Sequence, residues 1–197
     1  MKTEPSRSDK KTFGVAKKDI KTEKGDKCYT TWRDMLRRCY DKKYHIKKPT
    51  YKDIKVCKKW LTFSNFKKWF DKNYRFDLEE KGIKLQLDKD LLKENSKIYS
   101  PKTCVFIPDR VNSFIRDIQT RENNTSGYTG LSYDKKTSKW YVRITDFYTH
   151  KNISLGLFEN KNMAVKAYEK ARKLKAEIVK EYLTELHYDE TIVEKIR

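Results

Sequence analysis

Residues 126–171 read "SGYTGLSYDKKTSKWYVRITDFYTHKNISLGLFENKNMAVKAYEKA", and their reading decides the fold. Three short runs, "YTGLSYD", "KWYVRIT" and "NISLGLF", alternate apolar and polar residues and are separated by polar turns. That is the pattern of a three-stranded antiparallel meander. From about Asn160 the spacing becomes helical, with Ala164, Ala167, Tyr168, Ala171, Leu174 and Ile178 on one side. Small alanines in such a stripe allow close approach to a sheet. Successive strand side chains point to opposite faces, so Trp140, Val142, Ile144, Ile153 and Leu155 are expected to face the helix. Tyr141, Arg143, Thr145, Asn152 and Ser154 then point away from it, flanked by Lys135, Lys136, Lys139 and Lys151. Such a face suits the major groove of a duplex, where Arg and Asn read base edges while Lys and Ser hold phosphates. An ordinary solvated sheet face has the same pattern, and alternation alone does not choose between them.

The chain has 197 residues, a formal net charge of +19 and 38% charged residues. A surplus of this size favours a polyanionic partner, of which nucleic acid is the commonest. A membrane surface is the competing polyanion. No apolar run approaches the roughly 20 residues that span a bilayer, and no apolar signal stretch opens the chain. The expectation is a soluble cytoplasmic protein, associated with the nucleoid of a host cell. Cys28, Cys39, Cys57 and Cys104 form no close pair of the kind that zinc sites use. Without a secretory signal disulfides are not expected either, and Cys39 and Cys104 read as small buried hydrophobes.

Upstream, residues 1–27 hold nine Lys/Arg against five Asp/Glu and few apolar residues, the composition of a disordered basic arm. A helix follows in "TTWRDMLRRCY", with Trp32, Met35, Leu36, Cys39 and Tyr40 on one face and Thr30 or Thr31 as cap. Arg33, Arg37 and Arg38 project from its other side. "IKVCKKW" reads as a short strand. "SNFKKWFDKNY" reads as a second helix capped by Ser64, its Phe66, Trp69, Phe70 and Tyr74 forming a core stripe. Residues 84–92 and 103–107 read as two strands joined by a loop that ends in a turn at Ser100-Pro101, and "DRVNSFIRDI" as a helix. "TRENNTSG", 120–127, lacks apolar residues and reads as a linker. The layout is therefore a basic arm to residue 27, a helical and ββα region over 28–119, the linker, a sheet–helix module over 128–186 and a tail over 187–197.

The C-terminal stretch resembles the DNA-binding domain of the plant APETALA/ethylene-response-factor family, and more closely the copies carried by phage and mobile-element endonucleases. The resemblance rests on Tyr128, Gly130, Leu131, Trp140, Ile144, Leu155, Gly156, Phe158, Ala164, Ala167 and Tyr168, and spans about sixty residues. In that family the sheet enters the major groove. By position this implies double-stranded DNA as partner and Thr129, Ser132, Arg143, Thr145, Asn152 and Ser154 as contacts. Most of these differ from the plant residues, so the docking mode carries over and the plant target sequence does not.

"LDKDLLKENSKIYSPKTCVFIPDRVNSFI", residues 87–115, resembles the strand–loop–strand–helix unit of phage HNH homing endonucleases. By position Asp88 matches that family's aspartate, Asn95 its loop asparagine and Asn112 its helical asparagine. Asp88 and Asp90, two apart on a strand, would share a face, and their oxygens suit Mg²⁺; the alternative is pairing with neighbouring lysines at a hairpin. Lys89 stands where the family places its general-base histidine, and an ammonium cannot accept a proton at neutral pH unless burial lowers its pKa far. His45, His150 and His187 lie in unrelated segments and read as surface residues. The resemblances together imply a phage or mobile-element protein that binds duplex DNA and carries a nuclease-like module without the usual histidine. The alternative is an active Mg²⁺-dependent endonuclease or nickase using Asp88, Asp90 and Asn112. RNA binding is a lesser variant, because the aromatics fall on core stripes.

Overall fold

A computed structural model describes residues 11–116 and 126–197. The fold is mixed α+β, and the chain divides into two compact units at Ile107/Pro108.

In the first unit, α1 (Lys27–Tyr40) buries Cys28, Trp32, Met35, Leu36 and Cys39, as its periodicity requires. Its cap is Asp26, whose carboxylate accepts the Tyr29 N–H at 2.8 Å. Thr30 and Thr31 lie inside the helix instead, and their hydroxyls donate back to the carbonyls of Asp26 and Lys27. Arg33 and Arg37 are exposed, but Arg38 is partly buried beside Tyr99, Tyr51 and Tyr44. A short α2 (Lys42–Lys47) and a 3-10 turn at Pro49–Tyr51 lead to β1 (Lys55–Val56), reduced to two residues. The second helix of the aromatic stripe is α3 (Phe63–Asn73), followed by α4 (Phe76–Glu80). Phe66, Phe70 and Tyr74 pack with Trp60, Trp69 and Phe106 in tilted, stacked and edge-on ring pairs, and the Trp32 indole donates to Trp60 O at 2.7 Å.

Residues 11–26 are not a disordered arm. Ala16 is fully buried, Lys17 N–H donates to Leu61 O at 2.7 Å, and Phe63 N–H donates to Lys17 O at 3.0 Å. The start of α3 is capped from this segment: both the backbone N–H and the hydroxyl of Ser64 donate to the Asp19 carboxylate, at 2.9 and 2.6 Å. Ser64 is thus a donor inside the helix and not its cap. A few backbone bonds and one buried alanine order a segment whose composition alone predicts none. The first ten residues of that arm lie outside the described residues.

The remaining strands of this unit are β2 (Leu85–Asp88), β3 (Ile98–Tyr99) and β4 (Val105–Pro108). β2 pairs with β4, as the two-strand reading expects, but stops at Asp88 where a strand to residue 92 was expected. The intervening stretch supplies β3, which runs parallel to β1. Thr103 closes the Ser100-Pro101 turn by donating to Ile98 O at 2.8 Å and accepting the Ser100 N–H at 3.0 Å.

The second unit opens with α5 (Asp109–Arg116) and continues with β5 (Leu131–Asp134), β6 (Lys139–Thr145), β7 (Asn152–Phe158), α6 (Lys161–Glu185) and a short α7 (Glu190–Val193). Residues 120–125 of the expected linker lie outside the described residues. The sheet order is β5-β6-β7, antiparallel throughout. Leu131, Val142, Ala164 and Tyr168 form its core, with Tyr128, Trp140, Leu155 and Phe158 packed around them.

α6 departs from its expected stripe in its second half. Ala164 and Tyr168 face the sheet, but Leu174 and Ile178 are exposed while Lys175, Ala176, Val179 and Leu183 are buried. The sheet is too short to cover the whole helix. Beyond it, α6 packs on α5 and on the β6–β7 connection, and its buried stripe runs on from Tyr168 through Lys175, Val179 and Leu183. Arg172 lies over the Phe114 ring at 4.3 Å, and Tyr182 meets Phe147 at 5.2 Å. Arg110 sits among the rings of Phe147, Tyr148 and Tyr182 at 5.7, 5.9 and 5.5 Å. No helix among the described residues is long and apolar enough to cross a membrane.

Candidate nucleic-acid interface

The register sorts the sheet into two faces. Ser132, Tyr141 and Leu157 form one rung across the three strands, and Arg143 with Ser154 and Thr145 with Asn152 form the next two on the same side. The helix lies against the opposite side, through Val142, Leu131 and Tyr168. The alternation in β6 therefore places Tyr141, Arg143 and Thr145 outward, as expected, together with Ser132, Asn152 and Ser154. Thr129 is half-buried just before β5.

Arg143 is exposed, and among the described residues no ion pair engages it. Its backbone N–H donates to Gly130 O at 2.9 Å. The Thr145 hydroxyl donates to the Asn152 carboxamide oxygen at 3.2 Å, ordering the last rung.

Both ends of the sheet are built by an aspartate. Asp134 accepts the Lys136 N–H at 2.9 Å and the Thr137 hydroxyl at 2.8 Å, closing the β5–β6 turn that carries Lys135 and Lys136. Asp146 accepts the N–H and the hydroxyl of Thr149, both at 2.7 Å, and closes the turn before Lys151. The donors lower both carboxyl pKa values, led by the backbone N–H of Lys136 for Asp134 and of Thr149 for Asp146. Each turn thus holds its own carboxylate close to the backbone while the lysine side chains stand exposed at the rim. Lys139, expected as a fourth flanking cation, pairs with Glu159 at 3.3 Å. Sequence reasoning passed over both aspartates; the signal was present as a side-chain acceptor two or three residues before a backbone donor.

Strand β7 breaks its parity. A register shift between Val142 and Arg143 leaves Leu155 as an extra residue, and Gly156 beside it has φ +116°. Leu155 points inward as expected. After the bulge, Phe158 pairs with Trp140 on the helix side, while Leu157 pairs with Tyr141 on the outer face and is 52% exposed. Ile153, expected inward, lies opposite Ile144 on the edge strand and remains 47% exposed. The glycine within "ISLGLF" was the available cue, because an isolated glycine in a strand pattern suggests a bulge.

The first unit holds Asp88, Lys89 and Asp90. Asp88 does not face Asp90 across a strand; its Oδ1 accepts the backbone N–H groups of Asp90 and Leu91 at 2.8 and 2.7 Å. Burial outweighs these donors and pushes the Asp88 carboxyl above the ordinary carboxylate range. Lys89 is buried and donates its ammonium to both oxygens of Asp90, at 2.6 and 2.7 Å. Asn95 has φ +53° in the following loop, and Asn112 is buried on α5, in the second unit. Strand pleat would put the two aspartates on one face only in a strand reaching residue 92; β2 ends at Asp88 and the chain turns.

This arrangement fits Mg²⁺ poorly, because protein donors engage both carboxylates and one of them is neutralised by its neighbour's ammonium. No group of three or more metal-ligating side chains gathers among the described residues. Supercoiled plasmid incubated with the full chain and Mg²⁺ or Mn²⁺ is expected to stay intact; nicking that Asp88→Ala abolishes would overturn this reading. His45 Nε2 donates to the Arg38 carbonyl oxygen at 2.9 Å, while His150 and His187 are exposed at positive φ. Cys28, Cys39, Cys57 and Cys104 are all free thiols, and burial pushes Cys28, Cys39 and Cys104 up to about 12.

In comparisons with known proteins, the chain matches no family model, no curated protein and no solved structure.

Proposed function

We propose that this chain binds double-stranded DNA by seating the outward face of β5–β7 in the major groove. One observation carries the reading: among the described residues, an uncovered sheet face presents Arg143 without an ion pair between two lysine-bearing turns. The net charge of +19 supplies the sequence-independent attraction to phosphate. Arg143 has the fork geometry that matches guanine O6 and N7, and Asn152 carries the donor–acceptor pair that matches adenine. Lys135, Lys136, Lys151, Ser132, Ser154, Thr129 and Thr145 suit phosphates and the groove walls, and Tyr141 offers ring surface with a hydroxyl.

On this reading the protein is of phage or mobile-element type, and the segment around Asp88 is a nuclease-like hairpin retained as structure. Its aspartates serve the turn and the Lys89 ion pair.

The test separates positioning from reading. Arg143→Ala is expected to flatten the preference among sequences, by about 1–3 kcal/mol at one base position. Lys136→Ala is expected to weaken all duplexes alike. Binding measured across a panel of duplexes decides between them, and equal weakening everywhere by both substitutions would remove base reading by the sheet.

A further inference from the structure

Leu157 is an anomaly on this face. It stands in the rung Ser132–Tyr141–Leu157, beside Arg143 and Ser154, and is half exposed where its neighbours are polar or amphipathic. Strict alternation from Asn152 and Ser154 would turn residue 157 toward the helix. The extra residue at Leu155, with Gly156 at φ +116°, is what re-aims it outward. Bulges that redirect a side chain recur next to functional sites. Unbulged, the strand would have buried Leu157 on the helix side and left that place on the outer face to Gly156. The bulge instead costs a ladder interaction and exposes a large apolar side chain, which water gives no reason to favour.

In a major groove the one apolar feature among base edges is the thymine C5-methyl group. We infer that Leu157, backed by the Tyr141 ring, is a specificity-determining residue that packs on a thymine methyl. This deepens the major-groove reading and rests on it. Arg143 and Asn152 would recognise hydrogen-bonding edges in adjacent rungs, while the Leu157 rung selects an A·T pair by shape and apolarity.

Duplexes selected by the full chain from a random-sequence pool, resynthesised with deoxyuridine in place of thymidine, lose only that methyl group. The wild-type chain is expected to bind them about fourfold more weakly than their thymidine counterparts, the worth of one buried methyl-sized group. Leu157→Ala should bind both forms alike, at about the level of wild type on the deoxyuridine form. Arg143→Ala should bind more weakly yet keep the methyl penalty. The proposal is overturned if wild type binds the two forms equally, if the selected duplexes share no thymine, or if Leu157→Ala retains the penalty. In each of those cases duplex binding itself survives. Failure of the wild-type chain to bind any duplex at modest salt would instead remove the underlying reading as well.

Discussion

Raising the salt concentration from about 50 to about 200 mM should weaken duplex binding by about 10³-fold, the loss expected when roughly six phosphates are neutralised. Three of the cations available for this are at the rims of the sheet, and the remainder come from the chain's wider surplus of +19. Lys135, Lys136 and Lys151 are exposed, and no ion pair to them occurs among the described residues. Lys139 is discounted because Glu159 already partners it. Binding releases the counterions condensed on each contacted phosphate, so affinity falls linearly with salt on logarithmic axes. Lys136→Ala should therefore reduce the magnitude of the slope by about 0.9, one phosphate's share. A titration series in which affinity hardly changes with salt would mean that the positive surplus is not engaged with a backbone.

Gly130→Ala is the second large effect. Gly130 has φ +100°, and a Cβ there would come within 2.3 Å of Arg143 O and 3.0 Å of the Tyr168 ring. The first neighbour is backbone in a paired strand, so it cannot swing away. Positive φ and the enforced shift together should cost at least about 3 kcal/mol, and lower the unfolding midpoint of the second unit by roughly 15 °C. Gly127→Ala is the matched comparison: φ is +79° and nothing lies within 4 Å of its Cβ position. It should cost about 1–2 kcal/mol, the positive-φ penalty alone. Equal midpoints for the two variants would show that the close approach of residue 130 to β6 does not exist. The glycine also bears on the proposed interface, because its carbonyl accepts the Arg143 N–H and holds that rung in place.

Local pattern determined a good deal here. Alternation located all three strands of the sheet, helical spacing located α1, α3 and α6, and the Trp32, Phe66 and Phe70 stripes are core. These features depend on nearest neighbours, since side-chain periodicity follows from backbone geometry within one element. The outward Tyr141, Arg143 and Thr145 were legible for the same reason.

What tertiary structure decided depends on partners distant in sequence. The bulge that turns Leu157 outward is a mismatch between β7 and β6, and a single strand cannot display it. Where the sheet ends, Phe114 and the Phe147–Tyr148 turn line α6 instead, and they bury Lys175, Val179 and Leu183 while Leu174 and Ile178, which periodicity places inside, stay exposed. Residues 11–26 gained order from Leu61, Phe63 and Ser64, residues their own composition does not contain. Asp88 and Asp90 look like a metal pair in one dimension because strand pleat would align them. Once the strand stops at Asp88, two backbone N–H groups engage one carboxylate and the Lys89 ammonium the other, so short-range donors occupy both.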